Sequence, residues 1–158
     1  AMAGTSNATT VNTYVGVNRM YVLSSGSLGY NDGTITVTDN GGSFGTQASI
    51  EPNISVTQQL IYHTTVGKNF LADWLFFNIN KISGGASPVV TIRGYSYSRV
   101  IATTFEVFKI TIDTDVENTV ELNPSQPFVI GGQEVLYFTA ESNQNNTIVR
   151  GRFSGVEL

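Results

Sequence analysis

From Gln58 to Leu158 the chain runs as one extended segment after another, and nowhere in it does an apolar pattern repeat with helical period. Phe70–Lys81, Val89–Ser98, Thr103–Ile112, Glu134–Glu141 and Thr147–Glu157 are rich in Val, Ile, Thr, Phe and Tyr, which suit a pleated, half-buried surface. The segments between them, among them Ser83–Pro88, Asn123–Pro127, Gly131-Gly132 and Ser142–Asn146, are built of turn residues. Such a chain must bury its side chains between sheets. The expected fold class is therefore all-β, a two-sheet antiparallel β-sandwich.

Eight strand-like runs can be counted from Ser55 onward: Ser55–Thr64, Asn69–Lys81, Val89–Ser98, Ile101–Asp113, Asn118–Leu122, Phe128–Ile130, Gln133–Glu141 and Thr147–Glu157. Eight antiparallel strands in about 100 residues match the inventory of a jelly roll. Upstream, Tyr14–Leu23 alternates as a strand would, Thr34–Thr38 and Gln47–Ile50 suggest an extra hairpin, and Gly41–Gly45 reads as a turn. Residues 1–13 are small and polar and read as a flexible arm, with Ala1-Met2-Ala3 as a cloning remnant. Residues 14–158 are expected to form a single sandwich domain. No internal repeat is visible.

In a strand, residues two apart share a face. Strict alternation along Phe70–Lys81 puts Leu75, Phe77 and Ile79 on one face and Phe70, Ala72, Trp74 and Phe76 on the other. Leu75, Phe77, Ile79, Val149 and Phe153 are expected in one core. Phe70, Trp74 and Phe76 then form a second apolar face, to be covered either by the first 50 residues or by another subunit. Large apolar residues on both faces, with only 13% charged residues, lead us to expect a homo-oligomer. By analogy with spikes and decoration proteins it is expected to be a trimer.

Composition removes several function classes. A net charge of -4 supplies no basic stripe for nucleic acid, and the local basic groups are the pairs Arg93/Arg99 and Arg150/Arg152. With no cysteine there is no disulfide, thiol catalysis or thiolate metal site. No apolar run approaches the roughly 20 residues of a spanning helix, so no membrane partner is expected. No signal segment is recognised.

Motifs for catalysis are lacking too. His63 is the only histidine, too few for a zinc enzyme's imidazoles, and no Gly-x-Ser-x-Gly elbow exists. Asp113, Asp115 and Glu117 alternate along an extended segment where Ca²⁺ could sit, yet position six is Asn118 and position twelve Pro124, so the EF-hand pattern fails. No metal, no cofactor and no enzymatic activity are expected. Asn7, Asn53 and Asn145 begin glycosylation sequons of the kind that chance supplies in a Thr/Asn-rich chain.

One binding face remains. Arg93, Tyr95 and Tyr97 lie on one side of Val89–Ser98, with Arg99 adjacent. Tyrosines beside arginine can stack on sugar rings and hydrogen-bond their hydroxyls. The plainer expectation for the same residues is an aromatic ladder that only fills a sheet surface.

The order of pieces from Ile35 to Leu158 resembles small structural proteins in the virions of tailed, especially marine, bacteriophages. The pieces are Gly33–Asp39, Gln58–Lys68, Phe105–Phe108, Pro127–Gly132 and Thr139–Asn146. The turn Thr65-Val66-Gly67-Lys68 lacks the proline found in that class. The resemblance implies a jelly-roll subunit of a capsid surface or tail, located in the virion, with other virion proteins and surface glycans as partners. From the residues alone, a bacterial carbohydrate-binding module or lectin-like domain stands as the alternative.

Overall fold

Alternation of β-branched and aromatic residues with polar ones is realised as ten antiparallel strands with no helix among the described residues. The structure is a computed structural model and describes residues 8–158 other than 11, 13–15, 26, 28, 40–45, 55 and 58. Most of the expected arm, the turn Gly41–Gly45 and the start of the expected strand Tyr14–Leu23 lie outside the described residues. The chain divides into two compact units, Ala1–Gln59 and Leu60–Leu158.

In the first unit β1 (Ile35–Thr38) and β2 (Thr46–Ile50) form the expected hairpin, with Ile35 opposite Ile50 and a register shift between Val37 and Thr38. The Asn31 amide donates to the carbonyls of Gly33 (3.0 Å) and Glu51 (2.8 Å), which fixes the approach to the hairpin. The strand expected at Tyr14–Leu23 is not formed among its described residues, where only Tyr21 makes an isolated bridge, to Val56. Alternation is necessary for a strand but does not supply a partner, and here the ladder is one rung long.

The second unit holds β3 (Ile61–His63), β4 (Phe70–Lys81), β5 (Val89–Ser98), β6 (Thr103–Asp113), β7 (Thr119–Leu122), β8 (Phe128–Ile130), β9 (Glu134–Ser142) and β10 (Thr147–Glu157). Among the described residues of the run expected at Ser55–Thr64, the strand covers Ile61–His63. One sheet has the order β10-β4-β7, with β8 also on β4, and the other β3-β9-β5-β6. The sheets share a core. Leu75, Phe77, Ile79 and Val120 from the first pack with Val90, Ile92 and Ile112 from the second, and Val149 and Phe153 lie against this cluster as expected. Phe77 stacks on Phe108 across the gap, with centroids 6.0 Å apart.

Strict alternation fails at one residue of β4. The register runs Trp74 opposite Ser154 and then Ala72 opposite Gly155, so Asp73 is an extra residue, a β-bulge that reverses the parity of everything before it. Phe70 and Ala72 therefore point inward with Leu75 and Phe77, and Phe70 is only 4% exposed. It belongs to a second core cluster with Ala72, Ile130 and Leu136, not to the outer face expected for it. Trp74 and Phe76 do share the outer face; their rings stack at 5.9 Å, and the Trp74 indole donates to Glu121 at 2.7 Å. Glycine is required opposite the bulge, since a Cβ on Gly155 would lie 2.2 Å from the Leu71 carbonyl oxygen.

Where β3, β5 and β9 come together, a polar network replaces apolar packing. Glu134 accepts hydrogen bonds from the Ser96 hydroxyl (2.6 Å) and the Gly131 amide (2.9 Å). The fully buried Thr64 hydroxyl accepts from the Glu134 amide at 3.0 Å and lies 2.8 Å from the Gly131 carbonyl oxygen. The buried Thr64 and Ser96 hydroxyls are thus satisfied where β3, β5 and β9 meet.

Candidate functional site

Along β5 burial alternates without a break: Val90, Ile92, Gly94, Ser96 and Ser98 are buried, and Thr91, Arg93, Tyr95 and Tyr97 are half-exposed on the outer face of the β3-β9-β5-β6 sheet. Three of the four candidate binding residues thus share one surface. Their partners on β9 in register are Glu141, Thr139, Tyr137 and Val135. Tyr95 and Tyr137 stack with centroids 5.3 Å apart and planes 26° from parallel, forming a half-exposed aromatic plate.

Arg93 sits one row from this plate and is held by Glu106 at 3.0 Å. That hydrogen bond raises the Arg93 pKa further above its ordinary value. Two residues before the inward Phe108, Glu106 would point into the core of a regular strand. A second bulge, at Val107, turns it outward and sends Val107 against the second core cluster.

Arg99, the fourth candidate, lies in the turn after β5, where its amide donates to the Gln133 carbonyl at 3.2 Å. Its guanidinium contacts Nδ1 of His63. Because a guanidinium can only donate, Nδ1 must be the bare nitrogen of a neutral ring. Burial first, and Arg99 second, bring the His63 pKa down to about 4, and burial also lowers that of Arg99. Arg99 therefore braces the β3 end of the face while Arg93 stands beside the aromatic plate.

At the other end of the same face, Val89, Thr91, Glu141, Ser142 and Asn143 line a shallow polar depression of about 390 Å³. That is within the roughly 300–1,000 Å³ range of small-ligand sites. The surface thus runs from carboxylate and amide groups past a guanidinium to stacked tyrosines, chemistry able to grip a polar ring by its edge and its face. A smaller apolar cleft of about 210 Å³, lined by Leu75, Phe108, Leu122, Asn123, Pro124 and Phe128, opens elsewhere on the unit.

The acids Asp113, Asp115 and Glu117 do not converge. The Asp113 carboxylate accepts the Asp115 amide at 3.0 Å and caps the turn, and no group of three potential metal ligands occurs among the described residues. Tyr137 and Glu106 complete the face and were not singled out from sequence, since which residue lies opposite another depends on register and bulges; His63, assigned no role from sequence, lies at its β3 end. Comparison with family models, curated proteins and solved structures returns no match.

Proposed function

We propose that this chain is a non-enzymatic structural protein of a virion, a jelly-roll-like module of a phage capsid surface or tail that contacts host glycans and associates with copies of itself. The observation that carries the glycan contact is the Tyr95–Tyr137 plate beside Arg93 on an outer sheet face. Stacking aromatics with a nearby guanidinium suit the apolar faces and the hydroxyls or carboxylates of sugars. Support for the virion setting comes from the ordered resemblance of Ile35–Leu158 and from a surface wetted by hydroxyls and amides in place of charge. The Trp74–Phe76 stack on the opposite outer face is apolar surface suited to a neighbouring subunit.

A second reading is a bacterial carbohydrate-binding module or lectin-like domain. The depression at Thr91 and Glu141 favours it, because it lies in line with the plate and is large enough for a sugar ring. A glycan array probed with the full chain tests both, with binding expected to vanish in Tyr95→Ala and Tyr137→Ala. Flanking genes for portal or capsid proteins separate the virion from the bacterial module.

A further inference from the structure

β6 is an outer strand of its sheet and runs for 11 residues. Long exposed edges invite pairing with another chain, and proteins ordinarily blunt them with bulges, prolines or charge. The β7/β8 edge is short and interrupted by Pro124 and Pro127. β10 carries Arg150 and Arg152 on either side of Gly151, so pairing two copies about that glycine would oppose arginine to arginine. On β6 the bulge at Val107 protects only the first half.

The second half reads Lys109-Ile110-Thr111-Ile112-Asp113, and reversing it exchanges the charges while leaving the apolar positions in place. Lys109, Thr111 and Asp113 are exposed, Ile110 is half-buried and Ile112 is buried. The Thr114 amide donates to the Pro88 carbonyl at 3.1 Å. In an antiparallel ladder bonded and non-bonded positions alternate, so Lys109, Thr111 and Asp113 turn their backbone groups away from β5 toward the free edge. Lys109 lies opposite Arg93 on β5, a like charge, and Arg93 already holds Glu106. Lys109 makes no ion pair among the described residues.

We propose that two copies of this chain join edge to edge through Lys109–Asp113 of β6, antiparallel about a two-fold axis at Thr111. In that register Thr111 faces its own copy and exchanges both backbone bonds with it. Lys109 of each copy faces Asp113 of the other, and Ile110 faces Ile112 and extends the inner layer. The Asp113 amide donates to the Lys109 carbonyl across the seam, while the Asp113 carbonyl stays with the Val116 and Glu117 amides, both at 3.0 Å. That turn ends the pairing on one side and the Val107 bulge on the other. An isologous contact closes at two copies, so a trimer requires some other surface. The seam stands independently of the virion reading, because its pairs use neither the Tyr95–Tyr137 plate nor Trp74.

Sedimentation velocity on the full chain over a micromolar to millimolar range should show a species of twice 17.0 kDa. Lys109→Asp and Asp113→Lys each place like charges at both symmetric positions and should weaken the dimer about tenfold or more. The double variant K109D/D113K restores opposite charges and should recover the wild-type constant. Chains that stay monomeric throughout, or a dimer indifferent to the single changes, overturn the seam. So does a double variant no better than the singles. Should a single variant lose its β-sheet circular dichroism, Thr111→Cys decides. The chain has no other cysteine, and a bonded antiparallel pair lies about 5.5 Å apart at Cα, within disulfide reach. Oxidation should give a covalent dimer well ahead of Gln126→Cys, and equal rates would exclude the two-fold at Thr111.

Discussion

Phe70→Ala and Phe76→Ala separate a bulged β4 from a regular one. With strict alternation the two phenylalanines occupy the same face and should matter alike. With Asp73 as the extra residue they part company. Phe70 is 4% exposed, stacks on Tyr62 with centroids 4.2 Å apart and meets Phe153 edge-on at 6.0 Å. Truncating a buried phenylalanine costs about 3–5 kcal/mol through lost transfer energy and the cavity left behind. Phe76 is half-buried and touches Trp74, so its truncation should cost roughly 1 kcal/mol. Against a total stability of about 5–15 kcal/mol the first loss is a large fraction and the second a small one. For a domain near 100 residues the melting temperature should fall on the order of 15 °C or more in Phe70→Ala and about 5 °C in Phe76→Ala. Urea unfolding followed by far-ultraviolet circular dichroism gives both free energies. Equal losses, or a larger loss for Phe76→Ala, would refute the bulge.

Three further outcomes follow from the same packing. His63 has a folded pKa of about 4 against an ordinary 6.5, so the unfolded chain binds its proton first; the stability it contributes is complete above pH 6.5 and drains away as pH falls toward 4. The single histidine makes its ring protons unambiguous in an NMR titration, and a midpoint near 6.5 in the folded chain would rule out the Arg99 contact. Gly155→Ala should destabilise by about 1–3 kcal/mol, because the new methyl meets backbone oxygen at 2.2 Å and the Phe70 ring at 2.5 Å; an unchanged denaturation midpoint contradicts this. Thr64→Val should lose about 1 kcal/mol by removing the hydroxyl that bonds both the Gly131 carbonyl and the Glu134 amide, which keep only their 3.2 Å bond to each other, measured by the same unfolding curve, and a neutral change would mean that this network is not needed.

The large elements were legible because their causes are local. Val89–Ser98 and Phe128–Ile130 begin and end in the structure where composition and turn residues say they should. Arg93, Tyr95 and Tyr97 share a face because no bulge interrupts β5. What could not be seen depends on register. Nothing in the residues around Asp73 or Val107 marks the insertion of one extra residue, and each insertion inverts the facing of what precedes it. Phe70 was lost to the wrong face in this way, and Glu106 was missed as the partner of Arg93. Tyr137 could be placed on a face by alternation, but its stacking on Tyr95 required knowing that β9 lies beside β5. Tyr21 shows the converse, an alternating segment with a single rung of ladder.

The most direct measurement maps a bound sugar onto the outer face of the β3-β9-β5-β6 sheet. Amide shifts of the labelled full chain would be followed while titrating a glycan selected from the array. Perturbations should concentrate at Thr91, Arg93, Tyr95, Tyr137 and Glu141 and disappear in Tyr95→Ala, with Trp74 unmoved. Shifts centred on Trp74 and Phe76, or no saturable shift with any glycan, would contradict a binding role for the tyrosine face.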